Sequence, residues 1–438
     1  MVNIQVDFSQ YVGRMKPVHG VGQPPFHADV YECPDYSMIR YLKEAGIPYS
    51  RLHDVGGPFG GNRFVDIPNV FRDFDADPYD PASYDFCFTD GLITALVENG
   101  VEPVYRLGVS IEGFSSINYY RINPPKDFKK WAVICEHIIR HYTEGWADGF
   151  HYDMKYWEIW NEPDNNGDIN RNNMWRGTKE DYYRLYEVAS KHIKSCFPHL
   201  KVGGYAGCGF YVLTGRPSAN TGTTGRYEYF MDFFKGFIAY VKENNCPLDF
   251  FTWHDYDWIE PTKVYADFVR KALDEAGYTQ TESICNEWCA DDEDLGTAKG
   301  AAFICGMILA MQDMPVDGAM VYDARFGIGP YGVLFDPRTA KPYPAYYGMK
   351  AFNELYRLGN QVQLTCDTEN VYAVAASNGT DGCIVIDNYT QAEISLDLKL
   401  NGQITGCWLI NQDNFMTECP LPSTMKANDI LCIKTKNS

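Results

Sequence analysis

No stretch of this 438-residue sequence approaches the roughly 20 consecutive apolar residues that a membrane-spanning helix needs, which argues against a membrane-embedded chain. Basic residues are scarce as well: 38 Lys and Arg stand against 58 Asp and Glu, for a formal charge of −20. Phosphate backbones and anionic lipid surfaces are held by a basic footprint, so nucleic acid and membrane are not expected as partners. The opening residues, Met1-Val2-Asn3-Ile4-Gln5-Val6-Asp7, lack the basic segment and apolar run of a secretory signal. The 14 cysteines are scattered through apolar segments, as at Cys135, Cys196, Cys305 and Cys383. Free thiols of that kind suit a reducing compartment, and a cytoplasmic protein is expected. Cys285 and Cys289 flank Glu287, but no second Cys or His pair stands at zinc-binding spacing. Neither a metal site nor a cofactor is expected. Low-complexity linkers are missing too.

What is present is an ordinary globular balance, 45% hydrophobic and 22% charged, with aromatics at 15%. Aromatics at that level either pack a core or stack on sugars or bases. From about Lys16 to Leu358, short β-branched runs alternate with longer helical segments. The strand runs are Val18–Gly22, Ile47–His53, Val101–Leu107, Lys155–Asn161, Lys201–Gly204, Asp249–His254, Ser283–Glu287 and Gly318–Asp323. Helical stretches between them end at Gly46, Gly100, Asn245 and Gly277, residues suited to a left-handed helix stop. Eight strand–helix units in one run predict an α/β fold, a (β/α)8 barrel over 13–357, with a doubly wound sheet as the alternative. Beyond Leu358 the pattern becomes short and alternating, with turns at Asn378-Gly379, Asp381-Gly382 and Asn401-Gly402. This predicts a C-terminal antiparallel β-sandwich over 358–438, which the alternating segment Asn3–Phe8 (within 1–12) joins as a strand.

Barrel enzymes carry their chemistry at the C-terminal ends of the strands. Here the second strand ends in Arg51-Leu52-His53-Asp54 and the fourth in Trp157-Glu158-Ile159-Trp160-Asn161-Glu162-Pro163. The sixth ends in Trp253-His254-Asp255-Tyr256 and the seventh in Cys285-Asn286-Glu287-Trp288. Glu162 and Glu287, on strands that face each other across the barrel, are the pair that glycoside hydrolysis requires. One carboxyl gives a proton to the leaving oxygen and the other stays ionised, the two lying roughly 5–5.5 Å apart in a retaining enzyme.

The string Trp157–Pro163 resembles the Asn-Glu-Pro acid/base motif of the clan A glycoside hydrolases. Further segments are similar to family 39, the β-xylosidase and α-L-iduronidase family. These are Trp131 with His141-Tyr142, Leu185-Tyr186-Glu187, Lys201-Val202-Gly203-Gly204, Leu248-Asp249-Phe250-Phe251 and Asn286-Glu287-Trp288. The resemblance implies that Glu162 is the acid/base, Glu287 the nucleophile, and Asn161 the partner of the substrate 2-hydroxyl. It implies that His254 and Tyr256 sit beside the nucleophile, with Arg51 and His53 near it. The Arg51 charge would then lower the Glu287 pKa. It also implies an oligosaccharide or polysaccharide substrate and a tendency to homo-oligomers.

Where the family usually offers a Trp after the eighth strand, this chain reads Val321-Tyr322-Asp323-Ala324-Arg325. Asp323 and Arg325 either bind a polar substrate group or pair with each other. The Gly-rich stretch Gly56–Asp77 and the segment Thr214–Gly225 fit no family pattern, and loops at this rim shape pockets. Three functions follow in order of expectation: an exo-acting β-xylosidase-like hydrolase, an endo-acting polysaccharide hydrolase, and a non-catalytic carbohydrate-binding barrel. Trp175, Trp258 and Trp288 are candidate sugar platforms for the second, and a binding module has no need of both glutamates.

Overall fold

Alternating burial marks the first element of the computed structural model: in β1 (Val2–Arg14), Val2, Ile4, Val6 and Phe8 point into one apolar core while the residues between them are more exposed. The structure describes residues 1–25, 37–55, 63–111, 121–216, 225–290, 292–325 and 331–437. After β1 come β2 (Gly20–Gly22), α1 (Ile39–Ala45), β3 (Tyr49–Leu52), α2 (Ile67–Val70), α3 (Cys87–Glu98), β4 (Glu102–Leu107) and α4 (Phe128–Thr143). These are followed by β5 (Tyr156–Ile159), α5 (Lys179–Cys196), β6 (Lys201–Gly207), α6 (Arg226–Glu243), β7 (Phe250–Asp255) and α7 (Ile259–Ala276). The barrel segment ends with β8 (Glu282–Trp288), α8 (Ala298–Met311), β9 (Gly318–Val321) and α9 (Pro344–Tyr356). Strands β2 to β9 close a barrel in chain order, as expected for a (β/α)8 fold.

The barrel strands are buried along nearly their whole length, because helices cover one face and layered side chains fill the other. Helix α5 starts at a capping box, Thr178 with Asp181, and α7 stops at Gly277 in the left-handed conformation, φ +94°. In β6 a side chain at Gly203 would meet the Phe250 carbonyl oxygen at 2.0 Å, so only glycine lets β6 and β7 approach here.

The remaining strands are β10 (Asn360–Cys366), β11 (Val371–Ser377), β12 (Asp381–Asn388), β13 (Ile394–Leu400), β14 (Gln403–Ile410), β15 (Phe415–Glu418), β16 (Thr424–Met425) and β17 (Ile430–Lys436). With β1 they form one nine-stranded sheet, ordered β15-β14-β17-β12-β11-β10-β1-β13-β16. It is mixed, since β1 runs antiparallel to β10 but parallel to β13. Strand β12 is buried on both faces: Ile384 and Ile386 join the sheet's own core, and α8 and α9 pack against the strand. That second contact explains why α8 is apolar almost all round. The short β15 and β16 were not expected from the sequence; β15 is a mostly exposed edge strand, which leaves little apolar alternation to read.

By contacts the chain divides into two compact units, one of Met1–Val21, Arg40–Tyr49 and Trp288–Ser438, the other of Gly22–Ile39 and Ser50–Glu287. No helix among the described residues is long and apolar enough to cross a membrane.

Candidate active site

Within the second unit, β3 delivers Arg51, a fully buried cation whose guanidinium engages three partners. Its Nε donates to Glu158 Oε2 at 2.6 Å, Nη1 to Glu287 Oε1 at 2.6 Å and Nη2 to Asn161 Oδ1 at 2.5 Å. The other Glu158 oxygen accepts from Asn286 Nδ2 at 2.6 Å. A planar fork of donors suits such a cluster better than an ammonium would. The ends of β3, β5 and β8 are thereby tied through one charge.

The chain leaving β5 is bent out of ordinary geometry. Trp160 and Glu162 have φ of +72° and +44°, a left-handed conformation costing about 1–2 kcal/mol per residue without a glycine. Fixed contacts hold it there: Trp160 N donates to Leu107 O at 2.8 Å, Trp160 Nε1 to Met174 O at 2.8 Å and Glu162 N to Ala206 O at 3.0 Å. The Tyr182 hydroxyl of α5 pins the Ile159 carbonyl at 2.8 Å. The result aims the Glu162 carboxyl at β7.

There His254 stands fully buried, with Nδ1 2.8 Å from Glu162 Oε1 and 3.3 Å from Glu287 Oε2. Asn165 Nδ2 donates to the other Glu162 oxygen at 2.8 Å, and the Tyr256 hydroxyl donates to Glu287 Oε2 at 2.9 Å. One oxygen of each carboxyl and a ring nitrogen of His254 all lie within 4.8 Å of one another. That is also a donor set for a cation, but the Arg51 guanidinium already supplies positive charge at Glu287.

Electrostatics follow from these contacts. Burial opposes a charge on His254, yet Glu287 and the hydrogen bond with Glu162 overcome it and raise its pKa. Burial likewise lifts Glu162, but the hydrogen bond and charge of His254, then Asn165 and Arg226, outweigh it and hold Glu162 below the usual range. The two shifts describe one proton in the 2.8 Å bond between His254 and Glu162. Of the two, only the Glu162 side chain is partly exposed, at 15%, so only it can pass that proton outward. At Glu287 burial raises the pKa, against the pull of His254 and Arg51, and the neighbouring Glu162 charge adds to the rise. The net rise runs against an ionised Glu287, whereas the guanidinium at 2.6 Å and the phenol at 2.9 Å both favour the carboxylate. Arg51 and Tyr256 are thus the direct donors that favour a carboxylate at Glu287 against that rise.

Arg51, Asn161, Glu162, His254, Tyr256 and Glu287 are thus brought together. His53 is buried, 3.4 Å from Asp54, and held neutral by burial and by the charges of Arg51 and Arg106. Trp288, Tyr322 and Asp323 belong to the first unit. Trp288 is fully buried, and its carbonyl accepts from Tyr322 N at 2.8 Å. Asp323 and Arg325 pair with each other, Oδ2 to Nε at 3.0 Å. Trp175 is buried in the core, whereas Trp258 is 46% exposed. Residues 56–62 of the Gly-rich stretch and 217–224 of the Thr-rich one lie outside the described residues.

Glu158, Asn286, Asn165 and Asp164 were not expected at the site. Asp164 is buried, accepts from Cys208 N at 3.2 and 3.1 Å, and is pushed up to about 7 by burial and by the Glu162 charge. Glu158 carried the one available signal, a carboxylate in the middle of an apolar strand run.

The sequence model of glycosyl hydrolases family 39 matches residues 40–271. A β-xylosidase of Geobacillus stearothermophilus is 27% identical over 241 residues, which are 53% of this chain and 41% of that enzyme. The chain therefore matches about two fifths of that relative's length. A β-xylosidase of Caldicellulosiruptor saccharolyticus is 23% identical over 89% of this chain and 79% of its own. Among solved structures, a glucosidase from Croceicoccus marinus superposes with a TM-score of 0.78 at 20% identity, covering 100% of this chain and 99% of that one, a likeness of fold.

Proposed function

Since the chain belongs to glycosyl hydrolases family 39, we propose that it is a retaining, exo-acting glycosidase that removes terminal sugars from oligosaccharides, with β-xylosides as substrates. The observation that carries this is the meeting of Glu162 and Glu287 around His254, with carboxyl oxygens within 4.8 Å and Arg51 bonded to only one of the two. Inverting enzymes keep their carboxyls roughly 6.5–9.5 Å apart to admit a water, so the close spacing supports direct attack.

In the first step Glu162 gives its proton to the glycosidic oxygen while a Glu287 oxygen attacks the anomeric carbon, forming a glycosyl ester and releasing the leaving alcohol. In the second, Glu162, now ionised, takes a proton from the water that displaces Glu287. Two inversions leave the anomeric configuration unchanged. Arg51 and Tyr256 orient the nucleophile and favour its charge. Because Asn161 Oδ1 is taken by Arg51, its amide nitrogen is the atom left to donate to a sugar 2-hydroxyl. Trp258, two residues beyond Tyr256 and 46% exposed, is a candidate aromatic platform for a substrate sugar.

The β-xylosidase relatives support xylose, and the glucosidase neighbour makes glucosides the first alternative. Proton NMR during hydrolysis of xylobiose tests the whole proposal. Xylose released first as the β-anomer supports it; first release of the α-anomer would overturn retention. Internal cleavage of xylan without free xylose would favour an endo-acting enzyme.

A further inference from the structure

A second side-chain cluster lies away from the strand ends, on the pair of adjacent helices α4 and α5. Glu136 of α4 and His192 and Cys196 of α5 bring one ligand atom each to within 4.8 Å of one another. His192 and Cys196 are four residues apart on one helix, which stacks them on the same face. Glu136 comes from 56 residues earlier, and its Oε2 lies 2.6 Å from His192 Nε2. Its other oxygen accepts from Arg140 Nε at 2.8 Å, the kind of outer partner that orients a carboxylate ligand, while Oε2 is hydrogen-bonded to His192, a contact that a bound cation replaces. The Glu136 side chain is 11% exposed and that of His192 31%, so an ion reaches the cluster from solvent. The local charge is not prohibitive, since Arg140 is shared between Glu136 and Glu144.

We propose that Glu136, His192 and Cys196 form a binding site for a divalent transition-metal ion, zinc being the best fit, with water as the fourth ligand. One imidazole nitrogen, one thiolate and one carboxylate oxygen belong to zinc chemistry, whereas calcium and magnesium take oxygen ligands. On binding, the Cys196 S–H bond breaks, its proton passes to solvent and the sulfur electron pair bonds the metal. The hydrogen bond between His192 Nε2 and Glu136 Oε2 breaks as well, its proton leaving for solvent or the other ring nitrogen; neutral His192 and ionised Glu136 then contribute lone pairs, and nothing is oxidised or reduced. The ion would cross-link the helices on either side of β5 in the chain, and thereby stabilise the segment that leads to Glu162. Sequence spacing did not reveal the site, because His-x3-Cys lacks a second nearby pair.

The test uses the full chain stripped of metal with a chelator and titrated with cobalt(II) under reducing conditions at pH 8. A thiolate-to-cobalt charge-transfer band saturating at one equivalent, and lost in Cys196→Ser and in His192→Ala, is expected. The Glu162, His254 and Glu287 cluster contains no sulfur, so it cannot give this band. Zinc should displace the cobalt and raise the melting temperature of the wild type but not of Cys196→Ser. Retained glycosidase activity in both variants would confirm that they fold. No band in the wild type, or a band that survives Cys196→Ser, would overturn the proposal.

Discussion

Nη1 of Arg51 lies 2.6 Å from Oε1 of Glu287, with the guanidinium wholly buried and the carboxyl nearly so. The same cation bonds Glu158 and Asn161, so one guanidinium acts both on Glu287 and on the strand ends around it.

Arg51→Met keeps bulk but strands Glu158 and Glu287 as buried carboxylates. Breaking such a pair costs about 3–5 kcal/mol, so the variant should melt well below the wild type. Loss of the guanidinium, whose charge lowers it, should also raise the Glu287 pKa further. A nucleophile that protonates more easily loses activity at a higher pH, so the acid limb of kcat/KM should move upward. An acid limb that stays in place would show that Arg51 is structural only.

Glu162→Ala removes the proposed proton donor and later base, a contribution of about 10²–10⁴-fold. Hydrolysis of xylosides with poor leaving groups should fall by that order. Dinitrophenyl xyloside should still form the ester rapidly, and added azide should restore turnover and yield a β-xylosyl azide. Equal losses on both substrates, without azide rescue, would remove Glu162 from this role.

The site was legible in the sequence where strand ends had to carry chemistry. Glu162, Glu287, Asn161, His254 and Tyr256 each lie at or just past the end of a strand run, the resemblance to family 39 suggested their roles, and barrel geometry converges them. Glu158 was not singled out, since a strand glutamate reads equally well as a salt-bridge partner; its meaning comes from Arg51, 107 residues away. Asp164 and Asn165 lie in a loop whose shape depends on the left-handed turns at Trp160 and Glu162, which no periodicity encodes. Similarly, the sheet was visible as alternating runs, but the parallel pairing of β1 with β13 depends on contacts made only in the folded chain.

A second pH effect concerns stability. Burial, followed by the charge of Asp257, pushes Asp255 up to about 7, against the hydrogen bond from Thr262. A carboxyl raised in the folded state binds a proton that the unfolded chain has lost, so stability falls as pH rises from about 4 toward 7. Asp255→Asn keeps an acceptor for Thr262 without the charge. The variant should melt higher than the wild type at pH 7.5 and show a flatter pH dependence below it. Parallel melting curves against pH for the two proteins would refute this origin.

We propose that 358–438 is a non-catalytic unit needed for stability. Its strands β11 and β12 cover apolar faces of α8 and α9, and β10 pairs with β1. A chain ending at residue 357 should aggregate or lose its cooperative transition, as measured by light scattering and circular dichroism. A soluble, active truncation would contradict the proposal.

The most direct test of the central claim is mass spectrometry after reaction with a 2-deoxy-2-fluoro-β-xyloside bearing a dinitrophenolate leaving group. The fluorine slows both steps by destabilising the transition state, and the reactive leaving group lets the ester accumulate. One added fluoroxylosyl group is expected, on the peptide containing Glu287, and none in Glu287→Gln. A label on another carboxylate, or turnover without a label alongside an inverted product, would contradict it.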